Sequence, residues 1–240
     1  MTELERYLFD LQGFIVVENA LNSDQIAVLN LYLDKQKQLQ ELQNVSRYRF
    51  DSLLSWGKPF RDLIDNPRII SHLCELLGEF RLDHDYVHII GQGVGPVGSL
   101  LHGGGNPHDP CQYYEFKHGK MYNGLTAVAY ELNDVNQGDG GFSCIPGSHK
   151  SNYPLPQSWQ NLETPHSCVK TVSVKAGSAI IFTEALTHGT APWNGQHERR
   201  TLFYKYSPQF TAWARYYYNA DDFPDLTPLQ RRILRIPGLS

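Results

Sequence analysis

His188 and Arg199 stand eleven residues apart in the stretch KAGSAIIFTEALTHGTAPWNGQHERR, which runs from Lys175 to Arg200. A histidine at a strand end offers a neutral imidazole to a metal ion. An arginine one short loop and strand further on offers a planar fork that fits a carboxylate in two-point contact. The pair therefore suggests a metal site with an anionic co-substrate beside it. The competing reading is a strand edge with an exposed histidine and a charged loop. A second histidine, His102, follows Leu100-Leu101 and precedes Gly103-Gly104-Gly105, so it too sits where a strand gives way to a loop. Asp109 comes seven residues later.

Several elements must position these groups. Residues 1–12 read as a short helix ended near Gly13, and Phe14 to Val17 as a buried strand. Asn22 with Gln25 resembles a capping box, and Ile26, Leu29 and Leu33 follow at helical spacing. Asn66-Pro67 reads as a further helix start, with Ile70, Leu73 and Leu77 as its buried stripe and Gly78 as its end. From Phe80 the texture changes to strands and turns. Leu82, His84, Tyr86 and His88 alternate along one strand, and the two histidines read as packing residues. Leu125 to Leu132 is a strand, Asn136 to Gly141 a turn, Phe142 to Ile145 the return, and Pro146-Gly147-Ser148-His149 a corner. Strands are expected at 169–174, from Ala179 through His188 to Gly189, and at 200–207. Thr227-Pro228 caps a last helix. The pattern is one domain, helices first and antiparallel β structure after. Its substrate pocket is expected from the 40–60 and 103–122 loops and the C-terminal segment.

Composition excludes several functions. The 240 residues carry 21 basic and 25 acidic side chains, net −4, with no cationic block of the kind that nucleic acid requires. No apolar run approaches the ~20 residues of a bilayer span. The opening MTELERYLFD lacks a secretory pattern. Cys74, Cys111, Cys144 and Cys168 form no CxxC pair, so a reduced, cytoplasmic protein is expected.

Two strand-end histidines with a nearby acid fit the two-His-one-carboxylate facial site of non-haem Fe(II) oxygenases. Three ligands on one face leave three positions for a 2-oxo acid and O2. The order of parts also resembles the phytanoyl-CoA dioxygenase family of Fe(II)/2-oxoglutarate oxygenases. The resemblance runs from LQGFIVVENALNSDQI through LNDVNQGDGGFSCIPGSHK to KAGSAIIFTEALTHGT and the Arg199-Arg200 pair. It implies a mainly β fold with flanking helices, the double-stranded β-helix or cupin-like jelly roll. The division would be mostly helical support over 1–80, jelly-roll core over 81–210 and a C-terminal segment over 211–240. It further implies Fe(II), 2-oxoglutarate, O2 and a small-molecule substrate hydroxylated at an unactivated C–H. His102 and His188 would be iron ligands and Arg199 the 2-oxoglutarate anchor, with His149 left structural.

One position departs from the family pattern. The family places Asp two residues after the first histidine, and Gly104 stands there. Asp109 is assigned as the missing ligand, reaching back across residues 103–108. Glu184 in the same barrel mouth is an alternative, as is a halide in the vacancy, as in related halogenases. The competing explanation for Asp109 is a turn residue ahead of Pro110. A non-catalytic jelly-roll binding protein with an incomplete iron site is the other functional reading.

Overall fold

The computed structural model describes residues 1–42, 45–93, 98–104 and 107–238. Helix α1 (Glu3–Gln12) opens on a Thr2–Glu5 capping box and closes on Gly13 at φ +82°, a left-handed backbone that suits a residue without Cβ. Strand β1 (Phe14–Val17) follows, then α2 (Ser23–Leu39), which opens on the expected Asn22–Gln25 capping box and buries Leu29 and Leu33. After β2 (Arg47–Asp51) and the single-turn α3 (Lys58–Arg61) comes α4 (Ile70–Leu77). That helix starts later than Asn66-Pro67. Asn66 instead forms a turn, its amide donating to the Ala20 carbonyl while its Oδ1 accepts the Arg68 N–H.

The β part comprises β3 (Phe80–Ile90), the β4 (Tyr114–Lys117) and β5 (Lys120–Asn123) hairpin, β6 (Thr126–Glu131) and β7 (Gly141–Cys144). It continues with β8 (Lys170–Thr171), β9 (Ala179–Thr183), β10 (His188–Ala191) and β11 (Arg199–Pro208). Helix α5 (Pro228–Ile233) opens on the expected Thr227 cap. The strand expected at 169–174 shrinks to two residues. The strand expected to run through His188 divides, because Glu184 to Thr187 turn the chain from one sheet into the other.

Six strands pair antiparallel in the order β1-β9-β6-β11-β3-β2, and three in the order β10-β7-β8. This is the two-sheet jelly roll expected from sequence. Within the first eighty residues, expected to be mostly helical support, β1 and β2 are edge strands of the larger sheet. The larger sheet has two apolar faces. Leu82, Val87, Leu202, Tyr204 and Tyr206 pack outward with Leu29, Leu33 and Leu73 of the helices. Ala127, Ala129, Ile180 and Phe182 pack inward with Phe142 and Cys144 of the smaller sheet. Each fully buried Leu or Phe contributes about 1.5–3 kcal/mol. Among the described residues no helix is long and apolar enough to cross a membrane.

Candidate active site

A cavity of about 280 Å³ opens between the two sheets. Strand alternation decides who faces it. From β11 it receives Arg199, Phe203 and Lys205; from β3, His84, Tyr86 and His88. Arg200 points the other way, to Asn30, Asp34 and Glu198. The three regions expected to build the pocket each contribute a side chain, namely Arg49, Gln112 and Trp213.

His102 and His188 meet in this cavity. Their backbones form an isolated antiparallel bridge, His102 N–H donating to the His188 carbonyl at 2.8 Å and His188 N–H to the His102 carbonyl at 2.9 Å. The rings lie 4.4 Å apart between centroids. Each ring turns Nδ1 to the carbonyl two residues back: His188 to Leu186 at 2.7 Å, His102 to Leu100 at 3.4 Å. Such a contact places the proton on Nδ1 and leaves Nε2 as a lone pair, the usual arrangement of a metal-binding histidine. Burial holds the His188 pKa down at about 3, against the opposing pull of Glu184, so its imidazole is neutral.

Arg199 is buried, with Nη2 bonded to Glu131. Glu131 also accepts the Thr201 hydroxyl at 2.7 Å. Nε and Nη1 of Arg199 are buried and have no partner. Unsatisfied buried donors cost about 1–3 kcal/mol each, so their presence in a cavity marks a place for an acceptor. Gly141 explains part of the GDGG motif: at φ +86°, a Cβ there would stand 3.1 Å from Arg199 Nε.

Asp109 is not brought to the histidines. Its carboxylate accepts the Cys111 N–H at 2.7 Å in a turn that bridges Asp109 and Gln112, and it does not line the cavity. Local turn chemistry ahead of Pro110 has claimed it. Glu184 does line the cavity, with Oε2 3.7 Å from His188 Nε2 and Oε1 paired with Lys205. Burial would raise the Glu184 pKa, but the Lys205 ammonium outweighs it and holds the value at about 2. Burial likewise acts to lower the Lys205 pKa, and Glu184 raises it on balance. Among the described residues no three His, Cys, Asp or Glu side chains close into a complete metal cage.

Lys205, Arg49 and Trp213 escaped sequence reasoning. Period-two alternation from Arg199 was the one signal that could have found Lys205. His84 and His88, read as packing residues, form the cavity wall. His84 bonds Asp83 at 2.8 Å and stacks between Tyr86 and Trp213, while both ring nitrogens of His88 are buried without a partner. Burial, with Arg49, Arg199 and Lys205 nearby, keeps His88 neutral at a pKa of about 3. A larger cleft of about 780 Å³ shares no lining residue with this site, and its Arg6 and Glu75 already pair with each other.

The family profile described as phytanoyl-CoA dioxygenase (PhyH) matches residues 9–201. The chain belongs to the phytanoyl-CoA dioxygenase family. Its expected standing as an enzyme, a dioxygenase of this family, holds with that membership. Among solved structures it is similar to HygX from Streptomyces hygroscopicus with nickel and 2-oxoglutarate bound, at TM-score 0.82 and 22% identity over 90% of each chain. HygX with nickel, 2-oxoglutarate and hygromycin B bound superposes at TM-score 0.75, again at 22% identity and 90% of each chain. The non-heme alpha ketoglutarate dependent epimerase SnoN from nogalamycin biosynthesis gives TM-score 0.62 at 16% identity, covering 87% of this chain and 83% of its own. No sequence among the curated proteins is similar enough to match it.

Proposed function

We propose that this protein is an Fe(II)- and 2-oxoglutarate-dependent oxygenase that hydroxylates an unactivated C–H of a small molecule. The observation that carries the reading is the buried Arg199 fork, with two unpartnered N–H donors, in the same cavity as the bridged His102–His188 pair. The donor set fits the metal: two imidazoles have their Nδ1 positions committed to carbonyls and their Nε2 positions free. It fits the co-substrate as well, because a guanidinium already held by Glu131 keeps two donors for a second carboxylate. The solved HygX and SnoN complexes with 2-oxoglutarate or alpha ketoglutarate support the same assignment.

Bound iron supplies O2 activation coupled to the decarboxylation of 2-oxoglutarate to succinate. The chain supplies the rest. His102 and His188 would hold the metal through Nε2, and Arg199 would bind the far carboxylate and so orient the 2-oxo end toward the histidines. Phe142, Phe182 and Phe203 line the cavity and exclude water from it. Arg49, Gln112 and the half-exposed Trp213 line the same cavity and meet the substrate.

Ligand-linked stability tests this reading. A ligand at ~100 times its Kd adds about 2.7 kcal/mol to the folded state. The melting temperature should rise with Mn(II) plus N-oxalylglycine together under anaerobic conditions, and not with N-oxalylglycine alone. Absence of a shift with the pair would leave the non-catalytic binding protein as the better account.

A further inference from the structure

Position 104 cannot supply the carboxylate that the family places there. Gly104 has φ +93°, and a Cβ on it would stand 2.9 Å from Thr187 Oγ1, so an aspartate does not fit without moving the loop. Asp109 is spent on the Cys111 N–H. Glu184 is the one carboxylate among the described residues that line the cavity. It leaves β9 at the turn into β10, four residues before His188, and its two oxygens face different partners. Oε1 pairs with Lys205, whose Nζ also lies 5.0 Å from the Phe182 ring centroid and 5.4 Å from that of Phe203. Oε2 faces His188 Nε2 at 3.7 Å.

That second contact is what needs explaining. With the His188 proton on Nδ1, donated to Leu186, Nε2 is an acceptor, and a carboxylate oxygen is an acceptor too. Two facing acceptors repel unless a cation lies between them. Ligand atoms at right angles around an ion with ~2.1 Å bonds stand about 3 Å apart, so a small side-chain rotation would close the gap. We propose that Glu184 is the carboxylate ligand of the metal site, replacing the one absent at Gly104, with Lys205 as its fixed counter-ion. This rests on the iron reading above. Lys205 is a positioning residue: it holds Oε1 and thereby aims Oε2 at the histidines.

The competing account makes Glu184 only the partner of a buried lysine. Co(II) binding by the full chain, followed by visible absorption and calorimetry, separates the two. Glu184→Gln should weaken Co(II) binding at least about 100-fold, since even outer partners of metal ligands cost 10–100-fold. Asp109→Ala should bind as the wild type does. Glu184→Gln leaves Lys205 buried without its partner and could unfold the chain, so the double variant Glu184→Gln/Lys205→Met is decisive. It removes both charges together, which a buried pair tolerates far better than losing one. It should melt cooperatively and still fail to bind Co(II), whereas Lys205→Met alone, which keeps the carboxylate and loses only what positions it, should bind Co(II) more weakly than the wild type but more tightly than the double variant. A folded double variant that binds Co(II) like the wild type would overturn the assignment, and so would loss of binding in Asp109→Ala. Failure of the wild type to bind Co(II) at all would be a different result, overturning the iron reading itself and this inference with it.

Discussion

Arg199 and Arg200 differ in what surrounds them, although they are adjacent in the chain. Arg199 keeps two buried donors without partners, while Arg200 reaches Asn30, Asp34 and Glu198 at the protein's rim. Removing Arg199 outright would strand Glu131 in the interior and confuse affinity with stability. Arg199→Lys is the cleaner probe, because it keeps the charge and loses the fork. Charge-assisted hydrogen bonds contribute about 1.5–3 kcal/mol, so the KM for 2-oxoglutarate should rise about 10- to 100-fold. Arg200→Ala should leave that KM within about twofold of wild type, as read by succinate release at varied 2-oxoglutarate. Equal effects of the two substitutions would contradict the anchor assignment. That these arginines face opposite ways was legible in the sequence, because neighbouring residues of a strand alternate, and the eleven-residue spacing from His188 favoured Arg199. The carboxylate was not. Asp109 was preferred by proximity to His102 over Glu184 and over the competing turn reading, and the three-dimensional contact with the Cys111 N–H favours the turn.

At the level of elements, a β-bulge does work that no local sequence signal announced. Lys205 pairs with His84 and Tyr206 with Leu82, so Asp83 is the extra residue in β3. The bulge reverses the alternation there: Leu82 joins the helix-side core while His84, Tyr86 and His88 keep to the cavity. Asp83 accepts the N–H groups of Trp213 and Ala214 at 2.9 and 2.8 Å, which pins the C-terminal segment beside the site. The corner at His149 makes a second joint. Its ring packs on the C-terminal end of α1: a Cβ on the capping Gly13 would stand 2.6 Å from its Nδ1, and its Nε2 contacts the Asp10 carbonyl at 3.1 Å. Burial, aided by Lys150, holds the His149 pKa at about 4, below the ~6.5 of an unfolded chain. A depressed folded pKa means that the contribution is complete above pH ~6.5 and is lost as pH falls through about 4, on the order of 3 kcal/mol in all. The urea midpoint should therefore fall between pH 7 and pH 4, and by less in His149→Gln. An identical pH slope in the two proteins would show that another group carries the effect.

Over the whole molecule, much of the order of elements could be read from local codes, namely the Asn22 and Thr227 caps, the Gly13 stop and the alternation in β3, whereas β2, α3, β4 and β5 fall in or beside the 40–60 and 103–122 stretches expected to be loops. What could not be read was which sheet a strand joins. Ala179 to Gly189 reads as one strand, yet the turn after Thr183 sends β10 to the smaller sheet. That switch sets His188 opposite His102 and leaves Glu184 between the two sheets. The sequence likewise hides the partners of Lys205 and Arg49, since each is defined by a side chain from a distant element.

The reciprocal backbone pair between His102 and His188 has a thermodynamic consequence. Their spacing is held by two peptide hydrogen bonds, so the distance between the two imidazoles is set by the polypeptide itself. A metal bound by the proposed His102–His188 pair would then join a backbone already in place, unlike the ion in a zinc finger, whose binding free energy is the folding free energy. Stripping the protein with a chelator should leave its far-ultraviolet circular dichroism unchanged and lower the melting temperature only by the mass-action amount. The amide hydrogens of His102 and His188 should exchange with solvent no faster than about tenfold above their rate in the metal-loaded protein, as measured by hydrogen–deuterium exchange. Collapse of their protection on chelation would mean that the ion, and not the bridge, sets the distance between the two imidazoles.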